Sequence, residues 1–143
     1  MNDHDAKRLV GRLIAAFPQT PMREQTASLY TKYLGDLDRE ATEAAVDDLI
    51  ADATEFPTIA EIRRTVIDAE LHLPTPLEAW QSVSVKGNEI HPLAKQICDL
   101  FGGTWTIRNA DEPTIMRAQF LKAYGERRDE TFRRANTAHR KSA

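Results

Sequence analysis

The chain has 143 residues, of which 41% are hydrophobic and 29% charged, proportions that suit one domain or two small helical ones and exclude wholesale disorder. No apolar run is long enough for a membrane span, and the acidic start Met1-Asn2-Asp3-His4-Asp5 is not that of a secretory signal peptide. The single cysteine, Cys98, forms no internal disulfide, so a reducing cytoplasm is expected, and the net charge of −3 is unevenly placed: residues 1–73 carry 8 Lys/Arg against 14 Asp/Glu, residues 74–143 carry 11 against 8.

A first helix is predicted from Asp5 to Phe17, capped by Asp3 or Asp5, with Leu9, Val10, Leu13, Ile14 and Phe17 at helical spacing. Pro18 and Pro21 bracket a loop. A second helix is predicted from Met22 to Leu34, with Leu29, Tyr30, Tyr33 and Leu34 inward and Gly35 as its stop. Asp38 caps a third, whose stripe is Ala45, Val46, Leu49, Ile50 and Ala53 and whose outer face carries Glu43, Asp47, Asp48 and Asp52.

A corner follows. Pro57 lacks an amide donor and pushes Phe56 out of the α region, which ends the third helix. Thr58 then reads as an N-cap with Glu61 three places on, a capping box, while Phe56 ahead of the cap and Ile62 four after it suit a hydrophobic staple. Ile59, Ile62, Val66 and Ala69 give the fourth helix its stripe, to about Leu71. The residues Phe56, Pro57, Thr58, Ile59, Glu61 and Ile62 therefore form a structural corner.

Residues 72–76, with Pro74 and Pro76, mark the clearest boundary. Thr75-Pro76-Leu77-Glu78 starts a helix carrying Leu77, Trp80 and Val83. A loop leads to His91-Pro92, which opens another with Leu93, Ile97, Leu100 and Phe101, closed by Gly102-Gly103. Thr104-Trp105-Thr106-Ile107 is too short for a sheet. Pro113 starts a long helix with the stripe Met116, Phe120, Leu121 and Tyr124; beyond Arg127 the apolar pattern fades and fraying is expected. The fold class is all-α: a bundle of about four helices over 1–73, a smaller helical module over 74–126 ending in the long helix, and a basic, partly flexible tail over 127–143.

No catalytic constellation stands out. The one Gly-Gly pair lacks the lysine of a phosphate loop, the histidines are scattered, and Cys98 beside Ile97 suits a buried thiol better than a nucleophile. The carboxylates Asp47, Asp48 and Asp52 suit a solvated helix face better than an acid/base pair. Arg127, Arg128, Arg133, Arg134, Arg140 and Lys141, with Tyr124 and Phe132 interleaved, suit a solvated helix end, a protein contact or a stacking surface for single strands. Trp80 fits a core; Trp105 fits a core or an interface anchor.

The aromatic-Pro pair Phe17-Pro18, followed by the run Phe56 to Arg63, resembles the small helical N-terminal domain of the phage-encoded replicative-helicase loader/inhibitor proteins over about residues 5–72. Pro76 to Trp80, His91 to Trp105 and Arg117 to Glu130 are similar to segments that follow that domain in phage and prophage replication proteins. The resemblance implies a non-enzymatic DNA-replication adaptor without a cofactor, in the cytoplasm of a bacterial host cell. It would bind the hexameric replicative helicase and load or inhibit it, with single-stranded DNA or an origin-binding protein as further partners and no membrane. The contact candidates are Trp105, Phe120, Tyr124, Arg127, Arg128, Phe132, Arg133 and Arg134. The competing readings are a nucleic-acid-binding replication accessory using the basic tail, and a small helical phage structural or assembly protein.

Overall fold

The computed structural model describes residues 1–142, which form eight helices and, among the described residues, no strand. The chain is all-α. It divides into two compact units, residues 1–71 with 134–143, and residues 72–133.

The first unit is built from α1 (Asp3–Ala16), α2 (Glu24–Leu34), α3 (Arg39–Asp52) and α4 (Ile59–Glu70), joined by the end of the last helix. Local chemistry starts each helix. The Asn2 side chain, not Asp3 or Asp5, accepts from the Asp5 amide at 2.8 Å and caps α1, which leaves both aspartates in the first turn, where the helix dipole favours them. Asp38 caps α3 through the Ala41 amide at 2.9 Å, as its position predicts. Ala6, Leu9, Val10 and Leu13 of α1, Ala45 and Val46 of α3 and Ile62, Val66 and Ile67 of α4 are buried and make up much of the core.

Two further expectations for this unit, the inward faces of α2 and α4, fail in part on geometry. On α2 the inward positions are Thr31 and Leu34, while Leu29 is 50% and Tyr33 38% exposed. The helix tolerates Thr31 inside because its hydroxyl donates to the Ala27 carbonyl one turn back, leaving no unsatisfied polar group. Gly35 ends α2 as expected, though in a right-handed helical conformation, and the Met1 amino group donates to the Gly35 and Leu37 carbonyls at 2.9 and 2.8 Å. On α4, Ala69 faces solvent and Arg63 lies inside.

The second unit contains α5 (Pro76–Ser84), α6 (Pro92–Leu100), α7 (Thr104–Arg108) and the part of α8 (Pro113–Ser142) up to Arg133. Thr75 caps α5 and His91 caps α6, each with proline in the first helical turn. After α6, Gly102 and Gly103 adopt φ of 94° and 102°; the Gly103 amide donates to Cys98 and the Gly102 amide to Asp99, the paired bonds that end a helix with a left-handed glycine. Ala79, Val83, Leu93, Ala94, Ile97, Cys98, Ile107, Phe120 and Tyr124 form the core, with Trp80 and Phe101 packed against it. Leu77 and Leu100, predicted inward, are 49% and 67% exposed, because the helices present Ala79 and Cys98 to the core instead. Helix α8 runs on through the basic segment to Ser142, where the fading apolar pattern predicts fraying. Its residues from Arg134 belong to the first unit.

Candidate functional site

The corner forms as its sequence dictates. The Thr58 hydroxyl accepts from the Glu61 amide at 3.1 Å and the Glu61 carboxylate from the Thr58 amide at 2.7 Å. Pro57 and Ile62 are buried and Ile59 half-buried. Phe56, half-buried, is held by two other rings: its centroid lies 5.5 Å from Phe17 and 5.4 Å, edge-on, from Tyr30. The Tyr30 hydroxyl donates to the Pro57 carbonyl at 2.9 Å, and burial, helped by the Glu61 charge, pushes the Tyr30 phenol up so that it stays protonated. The two aromatic-Pro landmarks of the sequence thus meet in space, at the ends of α1 and α3, across the side of α2.

Next to the corner stands a buried polar knot that the apolar pattern conceals. Arg63 is 5% exposed. It donates from Nη1 and Nη2 to the two Asp36 carboxylate oxygens at 2.6 and 2.7 Å, from Nη1 to the Tyr33 carbonyl, and from Nε to Asn136 Oδ1 at 2.7 Å. Burial alone would raise the Asp36 carboxyl; the hydrogen bonds and charge of Arg63 outweigh it and hold Asp36 below the usual carboxylate range. The sequence signal for the knot is an arginine directly after Ile62 on a buried stripe.

The acidic face of α3 is not simply solvated. Glu43 accepts from Arg8 at 2.9 Å and Asp47 from Arg12, so both carboxylates tie α3 to α1. Among the described residues no group of three His, Cys, Asp or Glu side chains stands close enough to hold a metal ion. His91 Nδ1 accepts from the Leu93 amide at 3.0 Å, which commits that nitrogen to the helix cap. Burial, ahead of the Asp99 charge, pushes the Cys98 thiol up to about 11. Cys98 is expected to react with a disulfide-exchange reagent roughly 100-fold more slowly in the folded chain than in urea at neutral pH. Equal rates would contradict its burial.

The predicted contact residues separate into groups. Phe120 and Tyr124 present nothing to a partner: both are fully buried, their rings stacked at 6.0 Å, with Trp80 5.4 Å from Phe120. They occupy the core because their i, i+4 spacing makes one face of α8, and that face is the one the second unit covers. The Tyr124 hydroxyl donates to the Pro74 carbonyl at 2.6 Å, and Arg128 Nε reaches the same oxygen at 3.1 Å. Trp105 is 74% exposed, on the lip of a shallow groove lined also by Asn109, Asp111, Glu112, Ile115 and Met116, with Ile115 51% exposed. Arg127 and Phe132 are half-buried and Arg133 exposed in the second unit; Arg134 is exposed in the first. Sequence reasoning missed Ile115, which interrupts no pattern and stands one residue before the stripe.

Residues 1–63 match the family model of the N-terminal domain of the phage SPP1 helicase loader. The first half of the chain is similar to that domain. The match bears out the resemblance over the first three helices, the corner and the start of α4 through Arg63, so the aromatic cluster and the arginine of the knot both fall inside it. No curated protein and no solved structure matches the chain. No helix among the described residues is long and apolar enough to cross a membrane.

Proposed function

We propose that this chain is a non-enzymatic DNA-replication adaptor of a phage or prophage that binds the hexameric replicative helicase in the bacterial cytoplasm and loads it or holds it inactive. The observation that carries this reading is the match of residues 1–63 to the helicase-loader domain. Such an adaptor acts by differential binding, stabilising the ring conformation for which it has the greater affinity. The corner of unit 1, with Phe56, Pro57, Thr58, Ile59, Glu61 and Ile62, serves as scaffold. Contact falls to the exposed aromatic lip at Trp105 and Ile115 and to the surface of α8 at Arg127, Arg128, Phe132, Arg133 and Arg134.

Fluorescence titration of the labelled chain with the helicase tests the assignment. Trp105→Ala is expected to leave the fold intact, because the side chain is mostly solvated, and to weaken binding by roughly 30-fold if Trp105 is an anchor of ordinary strength. Unchanged affinity would remove Trp105 from the interface. Binding of single-stranded DNA in place of helicase, with a steep loss on added salt, would favour the nucleic-acid accessory instead.

A further inference from the structure

Large apolar side chains left together in water on a folded chain mark a surface with something to bind. In the second unit Trp105 is 74% and Ile115 51% exposed, and both line the groove between α7 and the start of α8. The Trp105 ring packs on no other ring among the described residues. Its backbone is fixed nonetheless: the Trp105 carbonyl accepts from the Asn109 amide at 3.0 Å and from Asn109 Nδ2 at 2.9 Å. The indole is thus presented on an ordered turn, which lowers the cost of binding to it.

The groove carries charge of one sign. Asp111 and Glu112 line it, both exposed and neither in an ion pair among the described residues, and no lysine or arginine joins them. Arg108 is committed elsewhere, donating to the Val83 and Val85 carbonyls at 2.8 and 3.4 Å. Arg117 follows Met116 in sequence but is not part of the lining. The α8 dipole adds roughly half a positive charge at this end, which two carboxylates outweigh. An open indole and two carboxylates attract a cation in concert. The same carboxylates repel a nucleic-acid strand, whose phosphates would follow any base stacked on Trp105. Arginine suits the groove better than lysine, since its planar guanidinium stacks on an aromatic face while its donors reach a carboxylate.

We infer that the Trp105 groove reads an arginine of a protein partner. The guanidinium lies over the indole and pairs with Asp111 or Glu112, and an apolar neighbour of that arginine packs against Ile115 and Met116. That the partner is the replicative helicase rests on the reading above; the chemistry of the groove does not.

Nuclear magnetic resonance on the full chain tests the chemistry first. A short capped peptide alternating arginine and leucine is expected to shift the Trp105 indole N–H, the resonance lost in Trp105→Ala, at millimolar concentration. A glutamate–leucine peptide is expected to leave it unmoved. Asp111→Asn combined with Glu112→Gln, which keeps the shape of the start of α8, is expected to weaken the arginine peptide by roughly 3–10-fold. Trp105→Leu, which keeps an apolar side chain but removes the π face, is expected to weaken it by roughly 2–30-fold at the Ile115 amide, and Trp105→Phe by less. No shift with the arginine peptide, equal shifts with both peptides, or equal affinity for Trp105→Leu and the parent overturns the site. A larger shift with a single-stranded oligonucleotide than with the arginine peptide overturns the protein partner. Titration with a replicative helicase then tests the source of the arginine. Asp111→Lys combined with Glu112→Lys is expected to weaken binding by roughly 10–100-fold, through repulsion of like charges. Unchanged affinity overturns the helicase as that source. No helicase binding by the parent chain sinks the helicase reading, and the peptide result still decides the groove.

Discussion

Asp36→Ala is expected to lower the stability of the chain by about 3–5 kcal/mol, the cost of leaving a buried guanidinium without its counter-charge. The pair is closed from water, with side chains 6% and 8% exposed, so the surface-pair discount does not apply. Urea unfolding followed by circular dichroism would read the loss as a lower midpoint. The pair also sets a pH dependence. The Asp36 pKa is lowered from its usual 3.8 in the folded chain, so its contribution is complete above that value and is lost as pH falls through the lower, folded pKa. Asp36→Ala is expected to abolish that acid-side component, and an unchanged midpoint at neutral pH would show the knot to be dispensable.

Phe120→Ala is expected to cost about 3–5 kcal/mol in the second unit, because it opens a cavity between Trp80 and Tyr124. The Trp80 emission should then shift toward that of a solvated indole and the unfolding midpoint should drop. Trp105→Ala, by contrast, should change stability by less than about 0.5 kcal/mol. That contrast distinguishes a core aromatic from a surface one. Loss of partner binding in Phe120→Ala would report unfolding, and a fully stable Phe120→Ala chain would contradict its place in the core.

The fold is legible where its causes are local. Thr58 and Glu61, Thr75 with Pro76, and Asp38 fix helix starts through bonds that span three residues, and all of them can be read from the sequence. The inward face of α2 is not legible, because a Tyr–Tyr pair at i, i+3 suggests one stripe while Thr31, self-satisfied on the Ala27 carbonyl, takes the core position. Nor is the pairing of Phe17 with Phe56, although both stand out as landmarks, since contact between distant positions leaves no periodic trace. Arg63 reads in the sequence as the close of a motif; its partner Asp36 lies in the α2–α3 connection, and nothing in spacing links the two. The contact candidates on α8 mix two classes for a single reason. An apolar stripe and a docking stripe have the same period, and only the packing of the second unit shows that Phe120 and Tyr124 are covered while Arg133 is not. The helical end of α8 is likewise hidden, since polar contacts to Arg63 and Glu70 replace the apolar pattern there.

The helicase claim itself is tested most directly by light scattering on size-exclusion fractions of the chain mixed with a bacterial replicative helicase. The expected result is one peak whose mass exceeds that of the helicase hexamer by whole copies of this chain. Separate elution of the two proteins at micromolar concentration would contradict it.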